Sequence, residues 1–275
     1  MASALKLALI QSRVFQTKSQ TLSRVKELIE TAVKQKSNLV CLPEIFNGSY
    51  GLGFFIPNSE EIPGETSNFL SGLAKEHSIH LVGGSISEKD GDKYYNTCLV
   101  YGPDGSLVAK HRKVHLFDID VPGGIKFTES EILSPGNSTN SFNIGPWKIG
   151  LGICYDIRFP ELSAVYAKQG CNLLLFPSAF NMTTGPKHWE LLTRARANDF
   201  QLYTAMCSPA RDENASYVAW GHSTVCNPWA EVIAKAGIDE EIIYADLDLQ
   251  LVETVRQSIP TRQQKRHDVY EQSKM

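Results

Sequence analysis

Gly150-Leu151-Gly152-Ile153-Cys154-Tyr155-Asp156-Ile157-Arg158-Phe159-Pro160-Glu161 changes character at its centre. The apolar run from Trp147 to Ile153 predicts a buried strand. Pro160 predicts the first turn of a helix, where its missing N–H costs nothing. Cys154 therefore stands where the strand stops. A side chain at such a turn faces a cleft without disturbing either element, and the N–H groups that follow lie near the positive end of a helix. A thiol with an ordinary pKa of ~8.5 becomes a nucleophile only where a neighbour takes its proton. Without that neighbour, Cys is a small buried apolar residue. The rest of the chain has to decide between the two.

Working outward, buried strands alternate with helices. Lys6 to Gln11 has a strand pattern. Thr21 to Gln35 places Leu22, Val25, Leu28, Ile29, Ala32 and Val33 at helical spacing. Asn38 to Glu44 is a nearly continuous apolar strand stopped by Pro43, which presents Glu44 beyond it. A helix opens at Pro63-Gly64-Glu65, and Leu81 to Ser87 reads as one strand. Tyr94–Tyr101 and Ser106–Val114 form a hairpin around Gly102-Pro103-Asp104-Gly105. Residues 118–140 read as a long irregular loop, a length often functional in a compact domain. A second hairpin, Ser141 to Cys154, turns at Gly145-Pro146. Phe159–Gln169 and His188–Asp199 read as helices, with strands at Leu173–Pro177 and Leu202–Ser208. Three further strands and a helix from Leu249 to Ile259 complete the core. Lys34 to Glu44 and Lys168 to Ser178 echo each other: a helix end, a buried strand, a proline stop. Two similar α/β halves in one domain, with helices covering the sheets, follow from this alternation.

With 275 residues, 42% hydrophobic and 21% charged, the chain is sized for one large globular domain. A net charge of −3 without a basic stripe argues against nucleic acid. No apolar run approaches the ~18 residues of a membrane span, and Met1 to Leu9 reads as a first strand rather than a secretion signal. The six cysteines are scattered, with neither a C-x-x-C pair nor zinc-ligand spacing, so free thiols in a reducing compartment are expected: the cytoplasm, or an organelle matrix. There is no glycine-rich phosphate loop, and no nucleotide cofactor is expected.

Two more polar residues share the position of Cys154 just past a strand: Glu44, and Lys113 in His111-Arg112-Lys113-Val114-His115. Ends of strands are where α/β folds gather their sites. A carboxylate can take the thiol proton and return it to a leaving amine, and an ammonium can stabilise the developing oxyanion. Read as residue types alone, both charges also suit a solvated surface. His115, His188 and His222 leave a Cys–His pairing open, and Cys154 also suits a redox sensor or a non-enzymatic binding module.

Leu42-Pro43-Glu44, His111-Arg112-Lys113-Val114-His115-Leu116 and Gly152 to Glu161 together resemble the three ordered catalytic motifs of the nitrilase (carbon–nitrogen hydrolase) superfamily, over Leu5 to about Tyr270. Within it the chain is similar to the omega-amidase branch, through His115 to Pro122, Leu133-Ser134-Pro135-Gly136, Thr184 to Leu192 and Ser208-Pro209-Ala210-Arg211. The resemblance implies an α-β-β-α sandwich, a single domain over residues 1–275 with its core at about 5–260, and pairing into a homodimer with the 261–275 tail near the interface. It implies Cys154 as nucleophile, Glu44 as general base and acid, Lys113 and the Tyr155 backbone N–H as oxyanion donors, and Glu129 as a supporting carboxylate. Substrates would be small dicarboxylate monoamides such as 2-oxoglutaramate and 2-oxosuccinamate, with no metal or cofactor; a related amidase, acting on deaminated glutathione or a carbamoyl amide, is the alternative. Tyr50, Arg158, Thr184 and Arg196 are candidates for holding the far carboxylate. Two positions depart from the branch: Ser49 where it has Pro, expected to loosen the loop carrying Tyr50, and Phe200 where it has an amide.

Overall fold

The structure, a computed structural model, describes residues 4–270. The first half runs through β1 (Ala4–Gln11), α1 (Lys18–Lys34), β2 (Leu39–Cys41), the short α2 (Leu52–Phe55), α3 (Glu65–His77), β3 (His80–Val82), β4 (Ile86–Asp90), β5 (Lys93–Tyr101) and β6 (Leu107–Arg112). A small hairpin of β7 (Asp118–Asp120) and β8 (Lys126–Thr128) follows. The second half comprises β9 (Ser141–Ile144), β10 (Trp147–Leu151), α4 (Pro160–Lys168), β11 (Leu173–Pro177), α5 (Gly185–Phe200), β12 (Tyr203–Cys207), β13 (Thr224–Cys226) and β14 (Val232–Lys235). β15 (Glu241–Asp248) then rejoins the first half, trailed by α6 (Leu249–Ser258) and α7 (His267–Tyr270).

One sheet has the order β15-β1-β2-β3-β5-β4, with β6 also on β5; the other is β14-β13-β12-β11-β10-β9. Each has a parallel centre, β1–β2–β3 and β10–β11–β12, flanked by antiparallel strands. The parallel strands β2 and β11 are buried at every residue, as strands covered on both faces must be. The period of two in β1 sorts its side chains. Leu5, Leu7 and Leu9 enter the core shared with the second sheet, while Ala8 and Ile10 pack with α1 and α3. Across the sheets, the Cys207 thiol reaches the carbonyls of Ile10 and Cys41 at 3.4 Å. α4 and α5 cover the second sheet, giving the expected α-β-β-α sandwich. The echoed segments take equivalent places, α1 into β2 and α4 into β11.

Two expected elements differ. Leu81 to Ser87 is two strands, because Gly84 has a left-handed φ of +59° and presses on the Pro43 carbonyl, which a Cβ would meet at 2.0 Å. Residues 118–140 are not wholly irregular: they contain the β7–β8 hairpin and a 3₁₀ turn, Glu129–Glu131. At three residues each, those strands are too short to leave a periodic signal. Within the expected tail, Val269 and Tyr270 on α7 are half exposed; residues 271–275 lie outside the described residues. No helix among the described residues is long and apolar enough to cross a membrane.

Candidate active site

The ends of the parallel strands converge on one buried cluster. Cys154 follows β10 with a left-handed φ of +45°, unusual for a residue with a Cβ and a form of strain found at functional turns. The turn fits because Gly152 lies against Phe176; a Cβ there would sit 2.4 Å from the ring. The carboxylate of Asp156 closes the same turn by accepting from the Ile153 N–H (2.9 Å).

Glu44, beyond Pro43, is fully buried. Its Oε1 accepts from Asn96 Nδ2 (2.8 Å) and Lys113 Nζ (3.0 Å). Its Oε2 takes no hydrogen bond among the described residues. Asn96 also accepts the Lys113 backbone N–H at 2.8 Å, so one residue of β5 sets both partners. Lys113 Nζ donates to Glu129 Oε1 as well (2.9 Å). Glu129 in turn accepts from the Tyr50 hydroxyl (2.7 Å) and the Phe117 N–H (2.7 Å). Gly136 packs where a Cβ would meet the Arg112 carbonyl at 2.2 Å, and its N–H donates to the Lys113 carbonyl at 2.8 Å.

Charge follows from this packing. Burial alone would discharge Lys113, but Glu129 and Glu44 outweigh it and hold the ammonium well above the usual lysine range. Its Nζ is held between those two carboxylates, 3.0 Å from Glu44 Oε1 and 2.9 Å from both oxygens of Glu129. Burial raises Glu44, with Lys113 pulling against it and Glu129 adding to it. The Cys154 thiol is pushed well up, by burial first and then by Glu44, so it rests protonated beside a carboxylate.

Asp156 is the residue that sequence reading passed over inside its own key stretch. Its carboxylate is fully buried, accepts the His115 N–H (2.9 Å), and lies 2.8 Å from His115 Nδ1 and 3.3 Å from His111 Nε2. Despite burial, these partners hold it well below the usual carboxylate range. It thereby fastens the Lys113 segment to the Cys154 turn. His115 is committed to this clamp, His188 lies 3.1 Å from the Arg158 guanidinium, and His222 faces the Ala236 carbonyl. None of them lines the cavity at Cys154, which is enclosed by Phe117, Tyr155, Arg158, Phe180, Asn181 and Thr184 among others.

The four carboxylate-binding candidates separate. Arg158 and Thr184 line the Cys154 cavity. Arg158 stacks on Tyr155 and Phe180, and no carboxylate pairs with it among the described residues. Tyr50 lines the adjoining open cavity of about 910 Å³, together with Glu44. Beside Ser49, Tyr50 donates to Glu129 and packs on Phe55, Phe127 and Tyr217. Arg196 lies elsewhere. Its guanidinium donates to the Ile157 and Arg158 carbonyls and pairs with Asp199, supporting the loop from behind. Phe200 is a core residue at the end of α5. Tyr217, which left no signal in the sequence, lines both cavities and divides them, with its hydroxyl donating to the Ala179 carbonyl.

A sequence model of carbon–nitrogen hydrolases matches residues 6–257. The omega-amidase NIT2 of Danio rerio is 58% identical over 268 residues, covering 98% of this chain and 97% of that protein. The omega-amidase NIT2 of Homo sapiens is 56% identical over 268 residues, with the same coverage of 98% and 97%. In three dimensions the chain is similar to Saccharomyces cerevisiae Nit3, a member of branch 10 of the nitrilase superfamily, with a TM-score of 0.86, 45% identity and 94% of each chain covered.

Proposed function

The chain belongs to the carbon–nitrogen hydrolase family, and from that premise we propose that it is an omega-amidase, releasing ammonia from the terminal amide of small dicarboxylate monoamides such as 2-oxoglutaramate and 2-oxosuccinamate. The observation that carries this reading is the buried contact of Glu44, Lys113 and Glu129 beside the Cys154 thiol.

In this reading Glu44 takes the proton as Cys154 Sγ attacks the amide carbon. The Lys113 ammonium and the Tyr155 N–H stabilise the oxyanion; one such donor is typically worth about 2.7–4 kcal/mol. Collapse expels ammonia, protonated from Glu44, and leaves a thioester on Cys154. Glu44 then draws a proton from water, which attacks the thioester and frees the dicarboxylate. Glu129 keeps Lys113 charged and in place. Arg158 and Thr184 hold the far carboxylate. The protein acts as one domain, pairs as a homodimer with its tail near the interface, and works in the cytoplasm or an organelle matrix.

The test is ammonia release across 2-oxoglutaramate, deaminated glutathione, carbamoyl amides and nitriles under identical conditions, for the wild type and Cys154→Ala. The expected result is preference for 2-oxoglutaramate and loss of turnover in the variant with an unchanged melting temperature. Preference for another class, or turnover without the thiol, overturns the reading.

A further inference from the structure

Asn181 carries a buried donor that the fold does not fully use. It sits between β11 and α5, and is only 5% exposed. Its Oδ1 accepts the backbone N–H groups of Thr183 and Thr184, both at 2.9 Å, and lies 3.4 Å from the Thr184 hydroxyl. These bonds fix which end of the amide is oxygen. Its Nδ2 is buried and makes no well-formed hydrogen bond among the described residues; the Tyr217 hydroxyl, which donates to the Ala179 carbonyl, stands near enough to accept one of its two protons, and the other has no acceptor. An unmade bond of this kind costs about 1–3 kcal/mol and is rare in native structures. Asn181 lines the same small cavity as Cys154, Arg158 and Thr184.

The chemistry of that cavity identifies what the donor meets. A dicarboxylate monoamide with its amide carbon at Cys154 places its carboxylate toward Arg158 and Thr184. In a 2-oxo acid the neutral ketone oxygen lies one carbon from that carboxylate, accepts hydrogen bonds and donates none. Resting on the omega-amidase reading, we propose that Asn181 Nδ2 recognises the 2-oxo oxygen of the substrate, making Asn181 the residue that distinguishes 2-oxo amides from their unsubstituted counterparts. A site that holds a buried donor for one substrate group discriminates strongly against the analogue lacking it.

Asn181→Asp is the informative change. It keeps an oxygen for the Thr183 and Thr184 N–H groups and replaces the donor with an acceptor. Steady-state kinetics would compare 2-oxoglutaramate with glutaramate, which has the same carboxylate and amide but no ketone. The wild type is expected to favour 2-oxoglutaramate in kcat/KM by about tenfold or more, mostly through KM, and Asn181→Asp to abolish that preference. Equal losses on both substrates would mark a structural or carboxylate-binding role and overturn the proposal, as would an unchanged preference. A binding measurement on the wild type stands apart from turnover and from the folding of the variant: protection of Cys154 from iodoacetamide by 2-oxoglutarate and by glutarate. Protection by 2-oxoglutarate at about tenfold lower concentration is expected, and equal protection overturns the proposal. Failure of the wild type to hydrolyse either amide, with that protection intact, would instead overturn the omega-amidase reading.

Discussion

In the proposed role of base, Glu44 must be ionised to accept the thiol proton, and its burial makes ionisation harder. Activity is present above its folded-state pKa and lost as pH falls through it. Because that pKa is raised, the acid limb of kcat/KM should lie above the ~4.3 of an ordinary glutamate. Glu44→Gln should lower kcat by about 10²–10⁴-fold, the usual worth of a general acid–base. A pH–rate profile from pH 4 to 8 on both proteins checks this, and an acid limb at or below ~4.3 in the wild type would contradict it. At this scale Glu44, Lys113 and Cys154 were singled out by their shared place past a strand and by the three-motif resemblance, residue type alone leaving surface and core readings open. Asn96 and Tyr217 were not legible: one is an unremarkable polar residue in mid-strand, the other lies in an exposed loop. Arg196 misled because a guanidinium that binds backbone carbonyls looks the same in sequence as one that binds substrate.

Among elements, the strand-to-turn junction at Cys154 depends on a close approach that only glycine permits. Gly152→Ala would drive a methyl into Phe176, and overpacking of this kind costs about 1–3 kcal/mol. The expected outcome is a lower midpoint in urea together with a larger fall in kcat, since the strained nucleophile is two residues away. A fall in stability with kcat intact would show that the turn relaxes without moving the thiol. Buried parallel strands and amphipathic helices were readable from periodicity alone. The split at Gly83-Gly84 was not, because it is forced by Pro43, a residue some forty positions earlier in the chain. The β7–β8 hairpin was hidden by its brevity, and it is this hairpin that delivers Glu129 to Lys113.

For the molecule as a whole, Cys154 comes from the second sheet and Glu44 and Lys113 from the first. Asp156 ties the two together through His111 and His115. The Asp156 carboxylate accepts the buried Ile153 and His115 N–H groups, and a buried donor left unpaired costs about 1–3 kcal/mol, so Asp156→Asn should be destabilised by an amount of that order at pH 7. The folded-state pKa of Asp156 is depressed. Its contribution is therefore complete above the unfolded value of ~3.9 and lost as pH falls through the folded one. Denaturation of both proteins in urea at pH 7 and near pH 3 should show the gap narrowing in acid; a gap that widens in acid would contradict the assignment. The echoed halves pointed to two similar α/β units, and the sandwich itself came from the family resemblance; the docking of one half on the other rests on contacts such as Cys207 to Cys41 with no local signature.

β1 pairs along its whole length with β15, Ala4 opposite Asp248 and Gln11 opposite Glu241. β1 thus waits for a strand some 230 residues later in the chain before this edge is covered. Contacts of such sequence separation form late and slowly. A nascent or prematurely terminated chain keeps an open edge, a liability for aggregation during synthesis. Until β15 has been made, the sheet that carries Glu44 lacks its β15 edge, so the pairing of Glu44 with Cys154 in a finished sandwich depends on a segment far downstream of both.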